Sequence, residues 1–294
     1  MTPMAAAIKR VGEFRVRWGE SLRWDDVRQR LYFVDCAKQT LHWLEGGEPP
    51  LHTLQLDSLP TGLVLTGGRQ LVICLDGGLH VVDPDAGTSD LLVAYPDGMY
   101  GRANDANADD SGNLVTGTLN LGPGPGAFWW FSASDGWRLL DDGIGNANGP
   151  VVVDIGGQST LVFADTLARS IYAYDYDGPA GTVGKRRLFA DYGALDGAPD
   201  GATADSDGGV WSCVLRSGKL ARFTATGLDR LWDLPLPNPS DVAFGGPALD
   251  RLFVTSIAFD LGEGVAPPPE AGWLLALDHV GSVGRPESIF PSAS

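Results

Sequence analysis

Leu31-Tyr-Phe-Val-Asp35 is a short run of apolar and aromatic residues, and a second run, Thr40-Leu-His-Trp-Leu44, follows it after four residues. Both runs are rich in the residue types that strands favour, so the pair predicts a β-hairpin. Five further runs like the first one follow along the chain, at residues 71–75, 114–118, 161–165, 210–214 and 252–256. We take these six runs as inner strands of a repeated unit.

The first residues of the six runs stand 40, 43, 47, 49 and 42 positions apart. A partner run follows each later one, at residues 78–82, 127–131, 170–174, 219–223 and 272–276. A period of about 40 to 50 residues is that of a four-stranded propeller blade. We therefore predict an all-β fold, a six-bladed β-propeller in which residues 1–294 form a single domain. Residues 8–17 are expected to add a strand to the last blade and so close the ring.

The composition agrees with this fold and excludes several classes of protein. With 40 Gly and 20 Pro among 294 residues, the chain is interrupted too often for long helices. A net charge of −16 disfavours nucleic acid and anionic membranes as partners, because both require a basic surface. No stretch is apolar enough for a signal-peptide core or a spanning helix, so we expect a cytoplasmic location without membrane contact. The sequence leaves the oligomeric state open.

The cysteines and the acidic turns carry no metal motif of their own. Cys36, Cys74 and Cys213 are widely spaced and lack any CxxC or CxxH pattern, which predicts reduced thiols rather than a disulfide framework or a zinc ribbon. Residues 109–112 and 205–209 are interpreted as β-turns. They lack the flanking helices and the glutamate at position twelve of an EF-hand calcium loop.

Polar residues recur about ten to thirteen positions before each of the six runs. They are Glu20, the turn Pro60-Thr61-Gly62, Asn104, Asn148, Asp200 and Ser240-Asp241. Equivalent positions of propeller blades face the axis at the same end of the channel, so we expect these side chains to meet there, each on a loop that enters a strand. Carboxylates and amides in one small site are costly to bury unpaired, and a hard divalent cation is their natural counter-charge. With few histidines available, a His or Cys zinc site is disfavoured.

These motifs resemble those of the SMP-30/gluconolactonase/regucalcin-like family of sugar lactonases, and the resemblance covers nearly the whole chain. The motifs that carry it are Glu20 before Trp24, Arg102-Ala-Asn-Asp105, Asn148-Gly149 before a strand that ends in Asp, and Pro199-Asp-Gly201 before Gly-x-Trp. The resemblance implies metal-dependent hydrolysis of an aldonolactone to the open-chain aldonic acid. It does not distinguish Ca²⁺, Mg²⁺, Mn²⁺, Zn²⁺ or Fe²⁺, although oxygen ligands favour a hard cation.

By the same resemblance, Glu20, Asn148 and Asp200 are metal ligands, and Arg102 and Asn104 bind the substrate. We expect Asp200 also to act catalytically, carrying a proton from water to the ring oxygen of the lactone. The chain departs from the family pattern in two places. Ser21-Leu22 follows Glu20 where Gly-Pro is usual. Asn120 stands where some relatives place an acidic residue against the substrate, and we expect it to take over that contact.

Three other functions stay open at this stage. The first is another esterase-type hydrolase of the same fold. The second is a non-catalytic propeller that binds a divalent metal or a small ligand, and the third is an interaction scaffold. A scaffold gives no reason for polar residues to recur at one mouth of the channel. A serine hydrolase is not indicated, because the sequence contains no G-x-S-x-G elbow. Trp24, Trp211 and Trp232 are predicted to pack between blades rather than to stack on a sugar.

Overall fold

Six antiparallel sheets arranged as blades make up the fold in a computed structural model that describes residues 7–120, 124, 126–260, 262, 264 and 266–291. Five sheets have four strands and one has five. The predicted six-bladed β-propeller is thereby confirmed. That residues 1–294 form a single domain stays a prediction, since both ends of the chain lie outside the described residues. No helix in the described ranges is long and apolar enough to cross a bilayer.

Each of the first three blades is a meander of four strands along the chain. Blade one contains β2 (Gly19–Asp25), β3 (Arg30–Asp35), β4 (Thr40–Glu45) and β5 (Glu48–Gln55), with a 3₁₀ turn at Cys36–Lys38. Blade two contains β6 (Gly62–Leu65), β7 (Leu71–Leu75), β8 (Gly78–Asp83) and β9 (Thr88–Ala94). Blade three contains β10 (Arg102–Ala108), β11 (Leu114–Leu119), β12 (Gly126–Ser132) and β13 (Gly136–Ile144).

The last three blades follow the same plan with two variations, a split outer strand and a ring closure. Blade four contains β14 (Ala147–Ile155), β15 (Gln158–Asp165), β16 (Ser170–Asp177), β17 (Thr182–Val183) and β18 (Arg187–Asp191). Blade five contains β19 (Ala198–Ala204), β20 (Val210–Leu215), β21 (Lys219–Thr224) and β22 (Gly227–Asp233). Blade six contains β23 (Pro239–Gly245), β24 (Arg251–Ser256), β25 (Leu275–Asp278) and β1 (Ala7–Arg10).

The two sets of sequence runs are the second and third strands of the blades. The first set was expected to be the inner strands, and this is wrong, because a further strand precedes each run and lies closer to the axis. The final partner run was also misplaced. It was predicted at residues 272–276, whereas β25 begins at Leu275. Gly272 has a φ of +85°, and a Cβ on it would lie 2.2 Å from the carbonyl oxygen of Val16, so this residue forms a tight crossing rather than a regular strand.

The ring closes as predicted, through a strand from the start of the chain. β1 pairs antiparallel with β25, so that Ile8 lies opposite Leu277 and the last blade takes strands from both ends of the described chain. β1 is Ala7–Arg10, so only residues 8–10 of the predicted segment 8–17 are in this strand. This pairing covers the outer edge of β25, which would otherwise expose unpaired backbone groups.

The blades pack against one another through aromatic and aliphatic side chains, and the tryptophans take part as predicted. Trp24 is 1% exposed and stacks on Phe253 of blade six. Trp211 is fully buried, packs edge-on against Phe244 of blade six and stacks on Trp232 of its own blade. The three cysteines are buried and free, in agreement with the expected reduced thiols. These interfaces fix the inner strands around the axis.

A strap formed by residues 279–291 crosses one end of the channel. The Val283 carbonyl accepts a hydrogen bond from the Ser206 amide at 2.8 Å, and the Phe290 amide donates to the Leu65 carbonyl at 2.9 Å. The strap therefore joins blades five and two across the axis. It lies at the end of the inner strands opposite to Arg102 and Asn104, so the site described below opens at the other end.

Substitutions in β1 test the ring closure. Ile8 packs against the apolar cluster between blades five and six, whereas its neighbour Lys9 is 65% exposed. We expect Ile8→Ala to lower the free energy of unfolding by about 1 to 2 kcal/mol, because it removes partly buried apolar surface. Lys9→Ala is the control and should change it by less than about 0.5 kcal/mol. Urea unfolding measures both, and equal effects would contradict the closure role of β1.

Candidate functional site

Five of the six innermost strands contain a β-bulge near their first residues. In β2, β10, β14, β19 and β23 the pairing with the next strand shifts between residues 20 and 23, 103 and 106, 148 and 151, 199 and 202, and 239 and 242. β6 pairs with β7 without a shift. A bulge adds one residue and re-aims the neighbouring side chains. The bulges therefore turn polar side chains toward the axis at one end of the channel.

The bulges also show that the polar residues occupy two adjacent positions rather than one shared position. Glu20 and Asn148 are the last residues paired before the bulge, opposite Val34 and Ala164. Asn104 and Asp200 lie inside the bulge. All of them belong to the innermost strands, except that Thr61 precedes β6, so the expectation that they sit on entering loops is wrong. Two glycines permit this packing: Gly149 has a φ of +51°, and a Cβ on Gly201 would lie 2.1 Å from Asp241 Oδ1.

The structure brings most of the predicted site residues to one cavity of about 220 Å³ at the open end of the channel. Its polar lining includes Glu20, Arg102, Asn104, Asn148 and Asp200. The remaining lining residues are Trp18, Leu119, Asn146, Thr166, Leu215, Ile257 and Phe259. The cavity thus combines a charged floor with apolar and aromatic walls, the usual composition of a small-molecule site.

Asp200 is a buried carboxylate with no hydrogen-bond partner. Asp200 is only 4% exposed, and no group in the described part of the chain donates a hydrogen bond to its carboxylate. Burial, together with the nearby charges of Asp241 and Asp105, raises the pKa of Asp200 well above its ordinary value. A buried anion in this state is unfavourable unless a cation or a proton joins it.

Glu20 lines the same cavity, and one of its two carboxylate oxygens accepts a hydrogen bond. Its Oε1 accepts a hydrogen bond from Trp18 Nε1 at 2.8 Å, and no described residue donates to Oε2. Burial and the negative charges of Asp200 and Asp105 raise the pKa of Glu20 well above its usual range. Glu20 and Asp200 therefore repel each other, and both keep oxygen lone pairs for an external partner.

The amide of Asn148 has its orientation fixed by two neighbours. Its Nδ2 donates to Thr166 Oγ1 at 2.7 Å, and its Oδ1 accepts a hydrogen bond from Asn104 Nδ2. Asn104 Nδ2 also reaches Asn146 Oδ1 at 3.1 Å and the carbonyl oxygen of Ala147 at 3.0 Å. This network fixes the Asn148 side chain in the wall of the cavity, with its Oδ1 against Asn104 Nδ2.

Arg102 is held at the edge of the cavity with donors to spare. Its Nη1 donates to Asn104 Oδ1 at 2.8 Å, and the guanidinium lies 5.3 Å from the centroid of the Trp18 ring. Its Nε and Nη2 donate to no residue among those described. Burial lowers the pKa of Arg102, although an arginine side chain stays charged in proteins. Arg102 is therefore a partly buried guanidinium that lines the site.

Two aspartates at the ends of second strands position the segments that form the rim. Asp35 accepts hydrogen bonds from the Arg17 amide at 2.7 Å and from the Trp18 amide at 3.1 Å. Asp165 does the same for the amides of Gly145 at 2.9 Å and Asn146 at 3.1 Å. The motif of a strand that ends in Asp was visible in the sequence. In the structure, the aspartate at the end of the strand holds the backbone of Trp18 or Asn146 at the rim.

The donor set of this site fits a hard cation better than a zinc ion of the structural type. Glu20 and Asp200 offer carboxylate oxygens, and Asn148 offers an oriented amide oxygen. Across the described residues, no group of three or more His, Cys, Asp or Glu side chains is placed to hold a metal ion. Mixed carboxylate and amide oxygen ligands are typical of Ca²⁺ and Mg²⁺ sites. The partnerless carboxylate of Asp200 is the feature that favours a cation here.

Asn120 is not among the residues that line the cavity. It follows Leu119, the last residue of β11, and its Nδ2 donates to the Gly124 carbonyl at 3.1 Å. Residues 121–123 and 125, which come next, lie outside the described part of the chain. A contact between Asn120 and a substrate therefore stays a prediction.

A layer of charge lies beneath the cavity, and sequence reasoning found Asp241 in it but missed Arg23. Asp105 Oδ2 accepts a hydrogen bond from the Gly149 amide at 3.0 Å, and Asp241 Oδ2 accepts one from the Leu22 amide at 2.6 Å. Each aspartate thus joins its own blade to another blade. Arg23 lies between them, 3.5 Å from Asp105 and 3.8 Å from Asp241. The only signal was the alternation in Leu22-Arg23-Trp24, where an arginine stands between two apolar residues. Such a pattern predicts a strand whose arginine faces solvent, so it does not indicate a buried charge.

Comparison with known proteins gives consistent matches along the chain. The profile of the SMP-30/Gluconolactonase/LRE-like region matches residues 18–258. Pentonolactonase XacC of Haloferax volcanii is 32% identical over 95% of this chain and 97% of its own length. The 6-deoxy-6-sulfogluconolactonase of Pseudomonas putida is 31% identical over 81% of this chain and 82% of its own length. A solved structure of a calcium-binding regucalcin from Agrobacterium tumefaciens superimposes with a TM-score of 0.86 at 23% identity, covering 97% of each chain, and shows the shared fold.

Because no described residue donates a hydrogen bond to Asp200, its carboxylate should destabilise the metal-free protein. In buffer containing EDTA at neutral pH, Asp200→Asn should raise the free energy of unfolding by about 1 to 2 kcal/mol, because it removes an uncompensated buried charge. Asp207→Asn, on the exposed turn of the same blade, is the matched control and should stay within about 0.5 kcal/mol of the wild type. Urea titration measures both variants. A less stable Asp200→Asn would show that the carboxylate is not under electrostatic strain.

Proposed function

The chain belongs to the SMP-30/gluconolactonase/LRE-like family, and from this we propose that it hydrolyses a sugar lactone to the open-chain aldonic acid with the help of one divalent cation. Relatives at 31 and 32% identity are named as lactonases of sugar-derived substrates. The observation that carries the proposal is the buried, partnerless carboxylate of Asp200 beside Glu20 in a cavity that Arg102 borders. A five- or six-membered lactone ring is of a size that such a cavity accommodates.

The residues proposed to hold the cation are Glu20, Asn148 and Asp200. All three residues line the cavity, and Asn148 Oδ1, which accepts a hydrogen bond from Asn104, keeps a second lone pair. The A. tumefaciens neighbour is described as calcium-binding, which is consistent with an oxygen-liganded cation here. Such a cation would polarise the lactone carbonyl and lower the pKa of a nearby water molecule. Trp18 and Thr166 hold Glu20 and Asn148 in place for this role.

Arg102 and Asn104 are proposed to orient the substrate. The unused Nε and Nη2 donors of Arg102 suit hydroxyl groups of the sugar or the negative charge that develops on the carbonyl oxygen. Asn104 keeps Arg102 in this position through its Oδ1. Leu119, Leu215 and Phe259 supply apolar walls that limit water near the ring.

Asp200 is proposed to move the proton during hydrolysis. A water molecule attacks the carbonyl carbon of the lactone, and Asp200 accepts the proton that the water loses. The bond between the carbonyl carbon and the ring oxygen then breaks, and the proton passes from Asp200 to that oxygen. The products are a carboxylic acid and a hydroxyl group on one open chain. The raised pKa of Asp200, caused first by burial and then by Asp241 and Asp105, suits a group that both takes and returns a proton.

A panel of lactones tests the proposed function. Protein depleted of metal with EDTA is offered pentono- and hexonolactones, and acid release is followed as Ca²⁺, Mg²⁺, Mn²⁺ or Zn²⁺ is restored. We expect hydrolysis above the spontaneous rate only after a divalent cation is returned. Activity that persists in EDTA would contradict the metal dependence. Metal binding without turnover of any lactone would favour a binding propeller instead.

Arg102→Lys separates substrate binding from metal binding. The variant keeps the charge but loses the planar fork that donates parallel hydrogen bonds. We expect kcat/KM for the preferred lactone to fall by an amount equivalent to about 1 to 3 kcal/mol, with metal affinity unchanged. Steady-state kinetics and calorimetric metal titration measure the two effects. Arg187→Lys, an exposed arginine of blade four, is the control, and a wild-type kcat/KM for Arg102→Lys would remove Arg102 from the substrate site.

A further inference from the structure

Arg23 is a buried cation directly beneath the proposed metal site. It belongs to β2, immediately after the bulge that places Glu20 in the cavity. Its side chain is only 3% exposed, although arginine is seldom buried to this degree without a specific partner. It does not line the cavity, so it has no direct role in binding the lactone.

The guanidinium of Arg23 is fixed by backbone carbonyls of two blades. Nη1 donates to the Leu22 carbonyl and Nη2 donates to the Ala106 carbonyl, both at 2.6 Å. Nε is buried and donates to no described group. These two hydrogen bonds fix the position of the guanidinium relative to the inner strands of blades one and three.

The charge of Arg23 acts on the same aspartates that disfavour the anionic forms of Glu20 and Asp200. Asp105 and Asp241 lie 3.5 and 3.8 Å from its Nη atoms, and Glu287 of the strap also acts on it from below. Burial alone would lower the pKa of Arg23, but Asp105, Glu287 and Asp241 outweigh it and the pKa is raised. Negative charge from Asp105 and Asp241 reaches Asp200, and that from Asp105 reaches Glu20. Arg23 is thus a positive charge among buried acidic groups, with Asp105 and Asp241 toward the cavity and Glu287 of the strap on its other side.

We propose that Arg23 is a positioning residue that acts as a built-in counter-cation, offsetting Asp105 and Asp241 so that the metal-free site stays folded and binds its divalent cation less tightly than the bare carboxylates would. The proposal rests on the cation site of the proposed function. It makes the strength of metal binding depend on a residue that touches neither the metal nor the substrate. If the role of Arg23 were purely structural, removing its side chain would loosen the site and weaken metal binding. The proposal predicts the opposite, a tighter binding of the metal.

Arg23→Met removes the charge while keeping an unbranched apolar side chain. In EDTA we expect its melting temperature to fall by roughly 5 °C or more, because Asp105 and Asp241 lose their buried partner. With Mn²⁺ as the probe in calorimetric titration, we expect a Kd on the order of tenfold lower than that of the wild type, because a nearby positive charge has gone. An unchanged or higher Kd would overturn the proposal. Arg23→Lys is the control, which should keep the wild-type Kd because the charge remains.

A second pair of variants keeps the test informative if Arg23→Met does not fold. Asp241→Asn should weaken Mn²⁺ binding, and adding Arg23→Met to it should restore Kd toward the wild-type value while matching the buried charges again. A double variant that binds no better than Asp241→Asn would contradict the role of Arg23. If the wild type itself binds no divalent cation, the proposed function fails instead, and this outcome is recognised before any variant is compared.

Discussion

The carboxylates of Glu20 and Asp200 are buried at the open end of the channel, and burial raises the pKa of both. Negative charge adds to this effect, from Asp200 and Asp105 on Glu20 and from Asp241 and Asp105 on Asp200. Oppositely charged partners are few: Arg102 stands at the rim, and Arg23 lies one layer below. Such an arrangement is unfavourable in a flexible chain, which would swing the carboxylates into water. It persists because each carboxylate sits on an innermost strand of a different blade, and the apolar interfaces between blades hold those strands in place.

The scaffold holds this unfavourable cluster in place with ordinary backbone chemistry. Bulges at the start of the inner strands direct the side chains inward, and buried aspartates accept amide hydrogen bonds from neighbouring blades. The strap of residues 279–291 closes the opposite end. The cavity therefore opens at the end of the channel that the strap does not cross. A bound cation relieves strain of this kind, which links the architecture to the proposed cation site.

Much of the fold was predictable because the second and third strands carry strong signals. Runs such as Leu71–Leu75 are apolar at every position, since both faces of these strands are covered by neighbouring blades. The innermost strands were not recognised as strands, because Asn148-Gly149 and Asp200-Gly201 at their bulges have the composition of turns. Their role as site residues was still predicted, through spacing and family resemblance. Arg23 could not be found in this way, because its function depends on aspartates from blades three and six that only the closed ring brings together.

The most direct test of this account is the position of the cation itself. Crystals grown with Mn²⁺ and measured at the manganese absorption edge would show each bound ion as a peak in the anomalous difference map. The account predicts one peak at the open mouth of the channel, within coordination distance of carboxylate oxygens of Glu20 and Asp200 and the amide oxygen of Asn148. A peak at any other place, or none in a protein that hydrolyses lactones equally well in EDTA, would contradict it.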